Sequence, residues 1–222
     1  MNHESQPAEP VPLPIDPGVR LPADILSRLD LAAVFPAVRD VEVELGSGDG
    51  SFLAEYAALN PGRGFLGVER LLGRLRKLER KALRRGLSNL RVLRLEAGYV
   101  LRWKLASGTV SALHVYFPDP WPKRRHWKRR LVNEAFVEES ARILRLGGRV
   151  FLRTDNEPYF TQMREVFGRS ARFVETDYPS EVASVVTDFE RDFNSRGIPT
   201  LRVAYQRSDV PGLANGRAGE PS

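Results

Sequence analysis

The feature that most restricts the fold is a short β-branched segment that runs through a glycine-rich turn into a helical stripe. Val41-Glu42-Val43-Glu44-Leu45 reads as a strand, and Gly46-Ser47-Gly48-Asp49-Gly50 follows it. Phe52, Leu53, Tyr56 and Leu59 then recur at helical spacing until Asn60-Pro61 stops them. The alternation continues down the chain. Phe65 to Val68 reads as a second strand, and Leu71, Leu75, Leu78 and Ala82 as a helical stripe closed by Gly86. Leu90–Leu95 and Ala112–Phe117 are the third and fourth strands. A helix from Asn133 to Leu144 runs into Gly147-Gly148 and a fifth strand at Val150–Leu152. Strands near Arg172–Glu175 and Leu201–Tyr205, with a helix between, complete a seven-stranded sheet. Such alternation predicts an α/β fold, a mostly parallel sheet with helices on both faces. Ligands bind such sheets at the carboxyl ends of the strands. The places to inspect are therefore Glu44–Gly50, Glu69, Glu96, Phe117–Arg130 and Thr154–Asn156.

At 222 residues the chain is long enough for one sizeable domain with its own core. Six prolines within residues 1–22 and the Gly/Pro/Ala-rich residues 210–222 read as flexible tails around a domain at 23–209. No apolar run reaches the roughly 18 residues a membrane span needs, and the N-terminus is acidic and polar, unlike a signal peptide. A soluble cytoplasmic protein with no membrane contact is expected. The absence of cysteine excludes disulfides, thiolate zinc sites, iron–sulfur clusters and a thiol nucleophile. The three histidines lie far apart, so no metal is expected. Monomer and homodimer are both compatible with the sequence.

The glycine turn is G-x-G-x-G, one residue short of the dinucleotide fingerprint. Gly46 and Gly48 allow a ligand to approach the backbone closely; a tight turn between strand and helix would need the same glycines. Glu69 closes the second strand 23 residues after Gly46, where a carboxylate can accept both hydroxyls of a ribose. Glu44, just before the turn, would repel a pyrophosphate and attract a cation, which favours a sulfonium donor such as S-adenosylmethionine over a nicotinamide dinucleotide. Glu96 ends the third strand, either as an acceptor for an adenine amino group or as a surface charge.

Phe117-Pro118-Asp119-Pro120-Trp121-Pro122 is a proline-stiffened loop at the end of the fourth strand. Six Lys or Arg fill the eight positions from Lys123 to Arg130, interleaved with His126 and Trp127. Cations attract phosphates and aromatic faces stack on bases, so this segment points to nucleic acid. A second basic surface, the outer face of the Leu71–Arg85 helix, is read as ordinary solubility. The net charge of +6 agrees with a polyanionic partner but does not identify one.

The segment from Phe117 to Arg130 closely resembles the signature of the tRNA (guanine-N7)-methyltransferases. The likeness extends through Glu44–Gly50, Gly67-Val68-Glu69, Gly147-Gly148, Thr154-Asp155-Asn156 and Thr187-Asp188-Phe189-Glu190, from Val41 to Arg207. It implies a Rossmann-like class I methyltransferase fold, S-adenosylmethionine as donor, and a guanine of the tRNA variable loop as acceptor. It implies that Glu44, Gly46, Gly48, Glu69, Glu96 and Asp119 bind the donor, with Asp119 also the catalytic acid. Lys123, Asp155, Thr187, Asp188, Phe189 and Glu190 match substrate-binding positions. Arg125, His126, Trp127, Lys128, Arg129 and Arg130 match the RNA-contact segment.

Position 96 is Glu where the family usually has Asp, and the basic motif expected upstream is missing. Guanine N7 carries a lone pair and no proton, so carboxylates at Asp119, Asp155 and Glu190 are expected to read the base rather than deprotonate it. Lys123 would donate to O6, and Trp121 or Trp127 would stack. Thr187-x-x-Glu190 is also a capping box, and Asp155 a possible helix cap, so both have structural alternatives. A methyltransferase for another substrate and a non-catalytic RNA-binding module are the competing functions.

Overall fold

The computed structural model describes Arg20 and residues 26–208. Both proposed tails lie outside the described residues except Arg20, which forms an isolated parallel bridge with Val92 and an ion pair with Glu79. That residue, at least, is attached to the domain.

The chain runs α1 (Leu31–Val34), β1 (Val41–Leu45), α2 (Leu53–Leu59), β2 (Gly64–Val68), α3 (Leu72–Arg84), β3 (Leu90–Leu93) and α4 (Ala97–Tyr99), which continues into a π turn at Val100–Lys104. Then follow β4 (Val110–Tyr116), a 3-10 helix at Arg124–Arg129, α5 (Glu134–Ile143), β5 (Leu144–Thr154), α6 (Glu157–Gly168), β6 (Phe173–Thr176), α7 (Ser180–Ala183), α8 (Asp188–Ser195) and β7 (Leu201–Arg207). One sheet contains all seven strands in the order β3-β2-β1-β4-β5-β7-β6, and β7 alone runs against its neighbours. The order reverses between β1 and β4, which opens a crevice at their carboxyl ends.

Two apolar layers hold the sheet. Side chains of α1, α5 and α6 pack on one face with Val43, Leu66, Leu113 and Leu152. Side chains of α2 and α3, with Val182 and Val185, pack on the other with Phe65, Val92 and Ala112. The two-residue period of a strand sends Val41, Val43 and Leu45 to the first layer and Glu42 and Glu44 to the second, and all five are buried.

The sequence boundaries mostly agree within two residues, but β5 is longer than its reading. It begins at Leu144, directly after α5, and carries Gly147-Gly148 inside it, with the register against β4 shifting between Val110 and Ala112. A Cβ at Gly148 would meet the Arg145 carbonyl at 2.8 Å, so this pair is a bulge in the strand rather than a linker. The helix that a cap at Asp155 implies is α6, but its cap is the next residue: Asn156 Oδ1 accepts from Tyr159 N–H, one position before Glu157-Pro158.

Candidate active site

Adjacent strand ends put five acids on one rim. Glu96 follows β3, Glu69 follows β2, Glu44 lies near the end of β1, Asp119 follows β4, and Asp155 follows β5. At about 4.8 Å between strands, they span roughly 20 Å in the order of the sheet.

Glu44 is the most unusual of them. It is buried, its Oε2 has no hydrogen-bond partner, and burial pushes its pKa up to about 8 despite the offsetting charge of Arg153. Asp49 and Glu69 add to the rise. Ser47 Oγ, beside it in the turn, is also buried without a partner. Buried polar atoms without partners are rare and costly in folded proteins. Above them Gly46 and Gly48 sit at φ of +79° and +56°, and a Cβ on either would meet nothing within 4 Å. These two glycines border open space, whereas a Cβ on Gly50 would strike Leu78 at 2.2 Å, so Gly50 is there for packing.

Glu69 braces the turn. Its Oε2 accepts from Gly48 N–H at 3.0 Å and its Oε1 from Leu71 N–H at 2.6 Å. Each oxygen keeps a further lone pair for a ligand. Glu96 is exposed and caps α4, accepting from Gly98 N–H and Tyr99 N–H at 2.9 and 2.7 Å. Its carboxylate is oriented by the backbone, which gives the surface acid of the sequence reading a defined position.

Across the crevice, Phe117 and Trp121 hold positive φ angles of 49° and 44° on either side of exposed Asp119. Left-handed backbone at non-glycine residues costs about 1–3 kcal/mol each and collects at functional sites. Among the described residues Asp155 makes no hydrogen bond, because the α6 cap falls on Asn156 instead. Asp119 and Asp155 are thus unoccupied acceptors on neighbouring strand ends. Lys123 is exposed at the start of the 3-10 helix, where its carbonyl accepts from His126 N–H.

Some expected site residues are structural. Thr187 and Glu190 form the capping box of α8. Glu190 is fully buried, with Arg153 Nη1 at 2.9 Å and Arg202 on its other oxygen. An arginine sits on each of its oxygens and the side chain is closed to solvent, which favours the structural alternative over base reading. Asp188 and Phe189 of the same motif face outward, and Asp188 N–H donates to Ser51 Oγ at 3.1 Å, docking α8 beside the glycine turn.

Arg130 is also withdrawn from the RNA-contact set. It is buried, donates to the Pro120 carbonyl and to Gln162 at 2.8 Å, and lies 4.3 Å from the Trp127 ring centroid and 4.7 Å from that of Tyr159. It fastens the proline loop to α6. Arg125, Lys128 and Arg129 remain exposed, while His126 and Trp127 are half-buried. Trp121 packs under Arg129 and against His126, and Trp127 under Arg130, so neither indole presents two open faces.

A buried polar chain under the site escaped sequence reading. His114 bonds Glu42 and Tyr116 through its two ring nitrogens, each at 2.7 Å, and Arg63 joins Glu42 at 2.9 Å. Despite burial, His114 and Arg63 hold the Glu42 carboxyl below its ordinary range. Arg153 continues the chain to Tyr178 at 2.8 Å and to Glu190. The one sequence signal was the pair of glutamates at alternate positions of an otherwise apolar strand. Among the described residues no three His, Asp or Glu side chains cluster as metal ligands, and no helix is long and apolar enough to cross a membrane.

Residues 39–203 match a family described as a putative methyltransferase. A protein named tRNA (guanine-N(7)-)-methyltransferase from Leifsonia xyli subsp. xyli is 39% identical over 183 residues, covering 80% of this chain and 81% of that protein. One of the same name from Nitrosococcus oceani is 33% identical, covering 81% and 77%. Against the relatives from Thermotoga maritima and Bordetella pertussis the chain spans a little over half their length, 58% and 55%. Among solved structures, the 16S rRNA methyltransferase KamB superposes with a TM-score of 0.62 at 21% identity, over 82% of this chain and 94% of that one. This likeness establishes the Rossmann-like methyltransferase fold.

Proposed function

The chain belongs to the tRNA (guanine-N7-)-methyltransferase family, and we propose that it transfers a methyl group from S-adenosylmethionine to N7 of a guanine in the tRNA variable loop. The observation that carries this reading is the buried, unpartnered carboxylate of Glu44 beneath the open glycine turn, facing a stiff loop that continues into a basic helix.

The residues of the turn fit the donor. Glu44 and Ser47 lack polar partners that a cationic amino acid moiety supplies, and Glu69 retains acceptor capacity for ribose hydroxyls. Glu96 holds a carboxylate at the next strand end for the adenine amino group. When bound, S-adenosylmethionine supplies an electrophilic methyl group on a positively charged sulfur. Gly46 and Gly48 admit it because no side chain occupies the space in front of them.

The acceptor requires no general base, since N7 bears a lone pair and no proton. Orientation is then the main contribution of the protein, an effect worth up to roughly 7–11 kcal/mol for well-aligned groups. Asp119 and Asp155 accept from N1–H and the N2 amino group, and Lys123 donates to O6. Adenine presents the reverse pattern at these positions and is rejected. The same carboxylates stabilise the positive charge that the purine gains. In A-form RNA, N7 lies in a deep groove closed to side chains, so the target must be in a loop or swung out of its stack. Arg125, Lys128 and Arg129 hold the flanking phosphates.

The test is to incubate the protein with unmodified tRNA and labelled S-adenosylmethionine, digest, and identify the product by mass. N7-methylguanosine from the variable loop is expected. Labelling of another nucleoside, or of none, rejects the assignment.

A further inference from the structure

α3 carries six Lys or Arg in thirteen residues against a single acid, Glu79, and that acid is taken up by Arg20. Lys81 pairs with Asp49 at 2.8 Å, but among the described residues Arg76, Lys77, Arg80 and Arg84 are exposed with no ion-pair partner. Arg76, Arg80 and Arg84 form one row at steps of four residues, about 6 Å apart along the axis. This spacing suits successive phosphates of a nucleic-acid strand.

Ordinary solubility does not account for the row. Solubilising surfaces mix both signs, whereas this face is of one sign. Like charges four residues apart repel, as in Arg76/Arg80, Lys77/Lys81 and Arg80/Arg84. Arg74 and Arg76 also oppose the positive end of the helix dipole, and the first turn holds no acid to offset them. Arg84 lies in the last turn, where the dipole favours it, but Arg76 and the repulsion along the row weigh against the free helix, and a polyanion alongside offsets that cost.

α3 reaches the site along its side towards α8, next to the row. The Arg74 guanidinium lies 5.7 Å from the Phe189 ring centroid, and Phe189 lies 6.4 Å from Phe117, the residue that opens the proline loop. Phe189 is 48% exposed in spite of these contacts. Arg74, Lys77 and Phe189 border a cleft of about 350 Å³ between α3 and α8, shared with Asp49, Asp188 and Asp192. The acids of that cleft occupy the side of α3 towards α8 and leave the Arg76–Arg80–Arg84 row to solvent.

We infer that the outer row of α3, Arg76, Arg80 and Arg84, is a second phosphate track that grips the tRNA backbone beyond the target nucleotide. It works with the Arg124–Arg129 helix, and exposed Phe189 lies between the two basic surfaces. This rests on tRNA being the substrate. It replaces the reading of this face as a solubilising surface.

The test compares the unaltered protein with Arg76→Gln/Arg80→Gln/Arg84→Gln for tRNA binding across a salt series, together with KM and kcat for methyl transfer. The triple variant should fold, because it loses like-charge repulsion, and its Tm should not fall. Its log–log salt slope should flatten by about 2–3, at about 0.7–0.9 for each lost phosphate contact. KM for tRNA should rise about tenfold or more while kcat at saturating tRNA changes less than about twofold. Arg145→Gln, near the start of β5 at the opposite end of the sheet, should leave the slope unchanged. An unaltered slope and KM in the triple variant, with tRNA still methylated, would overturn the track alone. Flattening by about 0.7–0.9 in Arg145→Gln, one third of that in the triple variant, would also overturn it, by making the effect one of total charge. Failure of the unaltered protein to methylate tRNA would overturn the track together with the substrate assignment.

Discussion

Replacing Glu44 by Gln should make the protein more stable and unable to hold its donor. An ordinary glutamate has a pKa of 4.5, whereas burial raises that of Glu44 to about 8. Between these values the folded protein keeps a proton that the unfolded chain has released, so this group's contribution to stability falls as pH rises through the window. At 1.36 kcal/mol per unit, the loss reaches on the order of 3–4 kcal/mol at pH 7.5 relative to pH 4.5. Glutamine has the same shape and does not titrate, but it leaves an amide in the same place with no partner, which offsets part of the gain. A net gain of about 2 kcal/mol corresponds to a Tm increase of roughly 4–8 °C for a domain of this size.

The assay is thermal unfolding of both proteins without donor from pH 5 to 8, followed by calorimetric titration with S-adenosylmethionine. The Tm values should nearly coincide at pH 5 and separate towards pH 8. At pH 7, donor binding to the unaltered protein should release a proton, because Glu44 is mostly protonated in the free protein and ionises beside the cation, and Glu44→Gln should bind at least about a hundredfold more weakly. A Tm difference that does not vary with pH would refute the buried proton at Glu44. Undiminished donor binding by the variant would refute the claim that this carboxylate faces the donor.

Asp119→Ala should abolish most turnover and leave tRNA affinity within about twofold, as read by single-turnover methyl transfer and filter binding; equal losses of both would remove Asp119 from the reaction centre. Arg130→Ala should lower stability, on the order of 2 kcal/mol for a buried guanidinium with several partners, whereas Arg129→Ala should weaken tRNA binding and flatten its salt slope by about 0.7–0.9; chemical unfolding and salt titrations separate the two. Glu190→Gln should cost about 3–5 kcal/mol, because Arg153 is left as a buried charge without its acid; denaturant unfolding checks this, and a change in guanine selectivity at unaltered stability would return Glu190 to the base-reading set.

The strand ends were legible in the sequence because glycine, proline and acid punctuation marks them locally: Gly46–Gly50, Glu69, Glu96 and the Phe117–Pro122 loop all fall where the alternation places them. What the sequence does not display is the direction of individual side chains. Arg129 and Arg130 are neighbours of the same kind, yet one is exposed and the other is buried against Tyr159 and Gln162, residues about thirty positions away. Glu190 appears equally suited to capping and to binding until Arg153 and Arg202 come in from β5 and β7. The Glu42–His114–Tyr116 chain is non-local for the same reason, since parallel pairing of β1 with β4 brings those groups together. Strand-end chemistry is written in short motifs, while burial depends on packing between distant segments.

The most direct test of the account uses tRNA transcripts carrying 7-deazaguanosine, in which a C–H replaces N7, in place of the variable-loop guanosines. The protein should bind these transcripts with nearly unchanged affinity and transfer no methyl group to them. Methyl incorporation into the substituted tRNA at the rate seen with the normal transcript would contradict attack by N7, and with it the role assigned to the acidic rim.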